Sequence, residues 1–282
     1  MELSSRVVLV TAGGSGIGLA IAHHFYNLGE RVHICDIDQS TIDSDAWEHH
    51  FYNRGDRVHI CDIDQSTIDS AACEMPYVTS TCADLTDTEQ VDNVFRDLKE
   101  THGRLDILIN NVGVAGPAAA VEDILPTEWN DTIAVDLNSI FYVTRKAVPM
   151  LKKSSGVMVN MSSTAGLFGC PLRSPYSAAK WAIIGLTKTW AIELGSFGVR
   201  VNAICPGSVN GSRIDKVIEL DAKTRNMNPS EVRESYLSQN SMGVFIEAEN
   251  IAQTAYFLCS PSAKHISGQA IPIDGHTETL AS

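Results

Sequence analysis

A tyrosine and a lysine four residues apart, Tyr176 and Lys180, are the first candidates for chemistry in this sequence. In a helix, residues at this spacing share one face. A free tyrosine has a pKa of about 10, too high for a base at neutral pH, but nearby positive charges favour the phenolate. Beside the Lys180 ammonium and an oxidised nicotinamide, the phenolate could take a hydroxyl proton while hydride leaves the same carbon. Ser163, which ends the preceding predicted strand, would hold the substrate oxygen, and Lys180 would also bind the nicotinamide ribose.

A glycine-rich turn near the start of the chain indicates where such a cofactor would bind. It lies between a β-branched apolar run, Val7 to Val10, and a predicted helix over Leu19 to Leu28. Glycines there let backbone amides approach a pyrophosphate, and the helix N-terminus adds a favourable dipole. The residues of this turn that we expect around a dinucleotide are Thr11, Gly13, Ser15, Gly16, Ile17 and Gly18.

An acidic residue after the next predicted strand favours one dinucleotide over another. Asp36 follows the strand Arg31 to Cys35 and is placed to bind the ribose hydroxyls. A carboxylate there repels a 2′-phosphate, the glycine turn carries Ser15 rather than a basic residue, and Ile37 follows the aspartate. These features predict NAD, with NADP less favoured.

A tandem duplication makes this acidic residue ambiguous. Residues 19–44 and 45–70 agree at 21 of 26 positions, so Asp62 is the equivalent of Asp36. We favour Asp36, because its spacing from the glycine turn is the natural one. The second copy either adds a strand, which would move Asp84 about 4.8 Å farther from the cofactor, or loops out of the sheet. The sequence leaves both alternatives open.

The elements that must position these residues alternate between strands and helices along the rest of the chain. This alternation predicts an α/β fold with a doubly wound, mainly parallel sheet in three layers. No linker composition divides residues 1–282, so we expect one domain. Residues 208–245 are predicted to form a substrate lid, with Asn210, Arg213, Tyr236, Met242 and Phe245 as candidates for contact with substrate. The predicted elements after the repeat are strands 77–82, 105–109, 156–161, 199–204 and 269–273, and helices 88–101, 126–151, 176–194 and 250–258.

Composition excludes several classes of function. Lys and Arg number 21 against 34 Asp and Glu, a formal net charge of −13. Such a chain repels nucleic acid and anionic membranes, so we expect a small-molecule substrate. Seven scattered cysteines without a CxxC pair indicate a reducing compartment and no metal site. No apolar run reaches the roughly 20 residues of a membrane span, and no targeting segment is visible, so a cytoplasmic location is expected.

Together these motifs resemble the short-chain dehydrogenase/reductase family. The residues that carry the resemblance are Thr11 to Gly18, Asp84-Leu85, Asn110-Asn111-Val112-Gly113, Ser163 thirteen residues before Tyr176, the Tyr176-Ser-Ala-Ala-Lys180 segment and Pro206-Gly207.

The resemblance implies a Rossmann-type fold, NAD(P) chemistry on an alcohol/carbonyl pair, and a homotetramer or homodimer. It implies that Asp84 and Leu85 flank the adenine, that Asn111 lies near the adenine ribose, and that Val209 lies against the nicotinamide. Pro206 and Gly207 belong to the same cofactor site.

Three positions depart from the family pattern. The first glycine of the family's turn is Ala12 here. The family's fourth catalytic residue, an asparagine whose main-chain carbonyl holds a water leading to the lysine, aligns with Asp136. The threonine usually found four residues after the Pro-Gly pair is Gly211, so its contact with the cofactor would come from Ser212.

The sequence therefore predicts an NAD-dependent dehydrogenase for a secondary alcohol, such as a polyol, sugar acid or hydroxy acid, or the reverse reduction. Ser163, Tyr176, Lys180 and Asp136 are its predicted catalytic residues. Two alternatives stay open. One is a binding or scaffold protein whose cofactor site the duplication has altered, because a fold alone does not establish activity. The other is non-redox chemistry by the same residues on a bound ligand.

Overall fold

Eight parallel strands form one sheet in the computed structural model, which describes residues 5–37, 58–59 and 78–280. The spatial order is β3-β4-β2-β1-β5-β6-β7-β8. The chain moves outward from β1 in one direction and then returns to β5 on its other side, which opens a cleft at the carboxyl ends of β1 and β5. The strands are β1 Val7–Thr11, β2 Arg31–Asp36, β3 Val58–His59, β4 Val78–Cys82, β5 Ile107–Asn110, β6 Val157–Met161, β7 Arg200–Pro206 and β8 Ala270–Ile273.

Eight α-helices accompany the sheet in the described residues. Four of the five helices with predicted bounds begin within two residues of the predicted position. Helix α2 shows why: the Asp87 side chain caps it by accepting a hydrogen bond from the Glu89 amide, and Gly103 ends it at φ 69°. The helices are α1 Gly16–Asn27, α2 Thr88–His102, α3 Pro126–Ile133, α4 Ser139–Ser154, α5 Ser174–Gly195, α6 Ser212–Arg225, α7 Pro229–Ser238 and α8 Ala248–Cys259.

The helices cover both faces of the sheet. Val8 and Val10 of β1 pack on the side of α1 and α8, whereas Val7 and Leu9 pack on the side of α2, α4 and α5. Successive side chains of a strand point to opposite faces, so a strand buried on both sides is apolar throughout. The predicted three-layer, doubly wound fold is confirmed.

The second copy of the repeat is described only at β3. His59 pairs with His33 of β2, and β3 also pairs with Val78 and Thr79 at the start of β4. Beyond that point β2 and β4 pair directly, with Asp36 opposite Cys82. The carboxyl ends of β2 and β4 are therefore neighbours. One of the two alternatives left open by the sequence, an added strand that displaces Asp84 from the cofactor by a full strand spacing, is wrong.

The predicted lid contains two helices, α6 and α7, which pack together through Ile214, Ile218, Ala222 and Val232.

That residues 1–282 form a single domain stays a prediction. Among the described residues, no helix is both long enough and apolar enough to cross a membrane.

Candidate active site

A cavity of about 460 Å³ opens at the carboxyl ends of the strands and runs from the glycine turn to the lid. Most of the predicted site residues line it, although they come from distant parts of the chain. Those that line it are Ser15, Gly16, Ile17, Asp36, Asn111, Ser163, Tyr176, Lys180, Pro206, Gly207, Val209 and Ser212.

The glycine turn holds its backbone against the sheet and leaves the cavity side open. A Cβ on Gly18 would lie 2.0 Å from the Ala12 carbonyl oxygen, and one on Gly13 would lie 2.2 Å from the Ile34 side chain. Gly16 begins α1 at φ +52°, and a Cβ there would meet nothing within 4 Å. The open space at a helix N-terminus fits a phosphate group of a dinucleotide.

Asp36 lies at the end of β2. One of its carboxylate oxygens contacts the glycine turn, and the other contacts the backbone of the next residue. Oδ2 accepts a hydrogen bond from the Gly14 amide at 2.8 Å, and Oδ1 accepts one from the Ile37 amide at 2.7 Å. These contacts hold the carboxylate against the turn that would bind the pyrophosphate. The alternative residue, Asp62, lies outside the described residues.

Thr11 and Asn111 join the ends of β1 and β5 under the cavity. The Asn111 amide donates to Thr11 Oγ1 at 2.8 Å, and Asn111 Nδ2 donates to the Ala12 carbonyl at 3.0 Å. Thr11 itself is buried. Asn111 therefore fixes the path of the glycine turn from the neighbouring strand.

Lys180 and Asp136 form a buried ion pair behind Tyr176. Lys180 Nζ lies 3.6 Å from Asp136 Oδ2 and donates to the Met161 carbonyl at 3.3 Å. The ammonium is 5.4 Å from the centre of the Tyr176 ring. Asp136 Oδ1 accepts from the Val114 amide at 2.6 Å. Burial raises the pKa of Asp136, and the Lys180 ammonium and the Val114 amide oppose that rise.

Asp136 occupies a π-helical turn, Ala134–Asn138, between α3 and α4. The sequence predicted one uninterrupted helix over residues 126–151. In the structure the Ser139 amide donates to the Ala134 carbonyl, five residues back, which widens the helix at this point. Such bulges are frequent at functional sites.

Ser163 follows β6, and the turn after it, Thr164–Gly166, packs against α5, the helix that carries Tyr176. The neighbouring Ser162 donates through Oγ to the Lys180 carbonyl at 2.8 Å. A Cβ on Gly166 would lie 2.7 Å from that same carbonyl oxygen, so only glycine allows α5 to approach so closely. Ser163 Oγ accepts from the Ala165 amide at 3.1 Å and keeps its own proton available.

Several predicted site residues lie beside the cavity rather than in its lining. Asp84 Oδ1 accepts from the amide and hydroxyl of Thr86, and Leu85 is buried in the core on the α2 side. Their predicted roles beside the adenine stay predictions. Of the lid candidates, Asn210, Arg213 and Tyr236 line the cavity. Met242 is 69% exposed, and Phe245 packs against the apolar contact of α6 and α7.

Sequence reasoning missed a charged cluster at the end of the cavity that the predicted lid covers. Arg173, Asp221 and Arg225 line it together with Tyr236 and Gln239. The only signal was the position of Arg173 three residues before Tyr176, which places it one helical turn away.

The described residues contain no group of three or more His, Cys, Asp or Glu side chains that could hold a metal ion.

Comparison with known proteins assigns the chain to one family. A family model described as enoyl-(acyl carrier protein) reductase matches residues 44–276. The chain is 33% identical to 3-oxoacyl-[acyl-carrier-protein] reductase FabG of Thermotoga maritima, over 98% of each chain. It is 37% identical to D-beta-hydroxybutyrate dehydrogenase of Rhizobium meliloti, over 68% of this chain and 75% of that protein.

A solved structure of a polyketide ketoreductase has a similar fold. The crystal structure of a point variant of actinorhodin polyketide ketoreductase with NADPH superposes with a TM-score of 0.81 at 26% identity, over 96% of both chains. These matches extend through the Ser163, Tyr176 and Lys180 segment. The chain belongs to the short-chain dehydrogenase/reductase family of oxidoreductases.

Proposed function

We propose that this protein transfers hydride between NAD and a secondary alcohol or ketone of polyol, sugar acid or hydroxy acid type. One observation carries the proposal. A single cavity joins the glycine turn and Asp36 at one end to Ser163, Tyr176 and Lys180 at the other. A dinucleotide lying along this cavity would bring its reactive ring to the hydroxyl groups of Ser163 and Tyr176.

NAD bound in this cavity would supply the hydride acceptor. The residues of the chain hold the substrate and move the proton. Ser163 Oγ donates a hydrogen bond to the substrate oxygen and orients it. Tyr176 accepts the hydroxyl proton during oxidation and returns it during reduction. The Lys180 ammonium, 5.4 Å from the centre of the Tyr176 ring, stabilises the phenolate.

The preference for NAD over NADP rests on Asp36. Its carboxylate is fixed against the glycine turn by the Gly14 amide, so it stands where a ribose 2′-phosphate would meet a negative charge. Ser15 and Ile37 line the same end of the cavity and add no positive charge. NADP, the oxidised form of the NADPH present in the polyketide ketoreductase structure, is the less favoured cofactor.

The test combines binding and turnover. NAD should raise the melting temperature of the purified protein, because a ligand that binds only the folded state stabilises it, and NADP should raise it little. With a substrate, NADH formation is followed by absorbance. Tyr176→Phe should keep the NAD shift and lose turnover by at least about a hundredfold. Turnover that survives in Tyr176→Phe refutes the role of Tyr176, and the absence of any shift favours the scaffold alternative.

A homotetramer or homodimer completes the proposal. Phe141 on α4 and Trp181 on α5 are exposed, as is Ile192 farther along α5. Large apolar side chains exposed on these two helices would be covered in an assembly of this kind, and the mass of the protein in solution tests it. A reducing, cytoplasmic location also stays a proposal. The described cysteines Cys35, Cys170, Cys205 and Cys259 are free thiols.

A further inference from the structure

The substrate end of the cavity carries an ion-pair cluster that the hydride-transfer chemistry does not use. Arg173 Nη2 donates to Asp221 Oδ1 at 2.7 Å, and the Tyr236 hydroxyl donates to Asp221 Oδ2 at 2.6 Å. Arg173 and Asp221 are 4% and 3% exposed. Both oxygens of the one buried carboxylate are thus engaged, one by a cationic donor and the other by a neutral one.

A second guanidinium meets the same carboxylate. Arg225, at the end of α6, places Nη2 3.9 Å from Asp221 Oδ2, and it also lines the cavity. Two arginines and one aspartate leave this cluster with a net charge of about +1 at neutral pH. Arg213 also lines the cavity, whereas the charge of Lys180 is offset by its ion pair with Asp136. The protein as a whole carries a formal charge of −13, so this end of the cavity is a cationic site in an acidic molecule.

The backbone that delivers Arg173 is strained. Leu172 has a φ of 62°, in the left-handed region that a leucine rarely adopts. Its carbonyl accepts from the Ala119 amide at 3.1 Å, which holds the turn in place. Strain of this kind persists where the surrounding structure enforces it, and it is concentrated at ligand-binding sites. Arg173 comes directly after Leu172 and directly before α5.

We propose that the Arg173–Asp221–Arg225 cluster binds a carboxylate of the substrate, so that the enzyme acts on hydroxy acids or oxo acids rather than on neutral polyols. This inference rests on the proposed function. A monoanion balances the net positive charge of the cluster, and guanidinium groups present parallel N–H donors that match a carboxylate. The carboxylate at the cluster and the reacting oxygen at Ser163 and Tyr176 fix the two ends of the substrate.

The test compares short hydroxy acids with their own methyl esters as substrates, with NAD as cofactor. Each pair shares the reacting alcohol and differs by one negative charge. We expect kcat/KM to be at least about tenfold higher for the acid, since a hydrogen bond to a charged group contributes this much or more. An ester that reacts as well as its acid overturns the proposal.

Arg225→Gln is the variant that isolates the cluster. Replacing Arg173 would remove the nearest cationic partner of the buried Asp221, whereas Arg225 is partly exposed and lies at a helix end. The acid-to-ester ratio of kcat/KM should fall about tenfold in Arg225→Gln. Lys223→Gln removes the same charge from an exposed position on the same helix and should leave the ratio at the wild-type value. Equal losses for acid and ester in Arg225→Gln contradict the assignment.

Binding gives a readout that does not depend on turnover. In the presence of NAD, the acids should raise the melting temperature of the wild type and of Lys223→Gln more than that of Arg225→Gln. If NAD itself gives no shift and no substrate yields NADH, the proposed function fails. If NAD binds and esters react but the acids neither bind nor react, only the carboxylate assignment fails. Phosphorylated alcohols that react better than the carboxylic acids also overturn it.

Discussion

Lys180 Nζ lies 3.6 Å from Asp136 Oδ2 and 5.4 Å from the centre of the Tyr176 ring, so one ammonium is close both to a carboxylate and to the predicted catalytic tyrosine. The residue that aligns with Asp136 in the family pattern is an asparagine, so this chain places an ionisable group where the pattern has a neutral side chain. A carboxylate behind the lysine offsets part of the positive charge that favours the Tyr176 phenolate.

Asp136→Asn should therefore make the phenolate easier to form. Burial raises the pKa of Asp136, and above that pKa the group is ionised and opposes a second negative charge on the tyrosine. Removing it should move the acidic limb of the kcat/KM profile for alcohol oxidation to lower pH by about one unit. Asp131→Asn, which changes an exposed carboxylate on α3, is the control and should leave the profile unchanged. A limb that moves to higher pH contradicts the prediction.

Asp36→Ser should weaken NAD binding and reduce the discrimination against NADP. The substitution removes the carboxylate that accepts from the Gly14 amide and would bind the ribose hydroxyls. Loss of charge-assisted hydrogen bonds to the ribose predicts a decrease of about ten- to a hundredfold in NAD affinity, measured by titration calorimetry. Asp62→Ser changes the equivalent residue of the second copy and should have no effect. The reverse result assigns the ribose site to Asp62.

Ala12→Gly should stabilise the protein. Ala12 has a φ of 50°, a left-handed conformation that is unfavourable for a residue with a Cβ. Glycine removes that penalty, partly offset by the greater freedom of the unfolded chain, for a net gain of about 0.5 to 1 kcal/mol in the free energy of unfolding. Gly16→Ala, at φ +52°, should lower it by about 1 kcal/mol. Urea denaturation measures both; a loss of stability in Ala12→Gly would argue against the backbone assigned to the turn.

His33 should make the fold sensitive to acid. Burial lowers the pKa of His33 to about 3, well below its unfolded value of about 6.5, and His102 adds a smaller effect. Between these values the unfolded state binds a proton that the folded state does not. Stability should therefore fall as pH decreases from about 6.5, by about 1 kcal/mol per pH unit. Comparison of urea midpoints at about pH 7 and about pH 5 should show a smaller decrease in His33→Gln than in wild type, and an unchanged decrease in the exposed His276→Gln.

The alternation of apolar strands and amphipathic helices was enough to predict the sheet, because each element is defined by local periodicity. The ends of these elements carry Asp36, Asn111, Ser163 and Tyr176, and parallel strands bring such ends to one edge. The π-helical turn at Asp136 could not be predicted in this way, because a shift from four- to five-residue hydrogen bonds leaves no mark on the apolar pattern.

Contacts between segments that are distant along the chain also could not be predicted from the sequence. Arg173 and Asp221 are separated by 48 residues, and each alone resembles an ordinary surface charge. Their pairing depends on how α6 and α7 fold over the start of α5. The repeat left the predicted ribose contact ambiguous between Asp36 and Asp62 for a related reason, because two identical strand ends carry the same local signal. In the structure it is the strand of the first copy, β2, that pairs with β1.

The pairing of β3 makes one side of this molecule suitable for engineering. β3 pairs with β2 at His33, near the amino end of that strand, while Asp36 remains opposite Cys82 at the other end. Parallel strands separate the two ends of a sheet by their full length, so extra sequence at the amino end leaves the catalytic edge in place. A short insertion immediately before Val58, at the amino end of β3, should therefore leave NAD binding unchanged, and the NAD shift in melting temperature is the check on the graft.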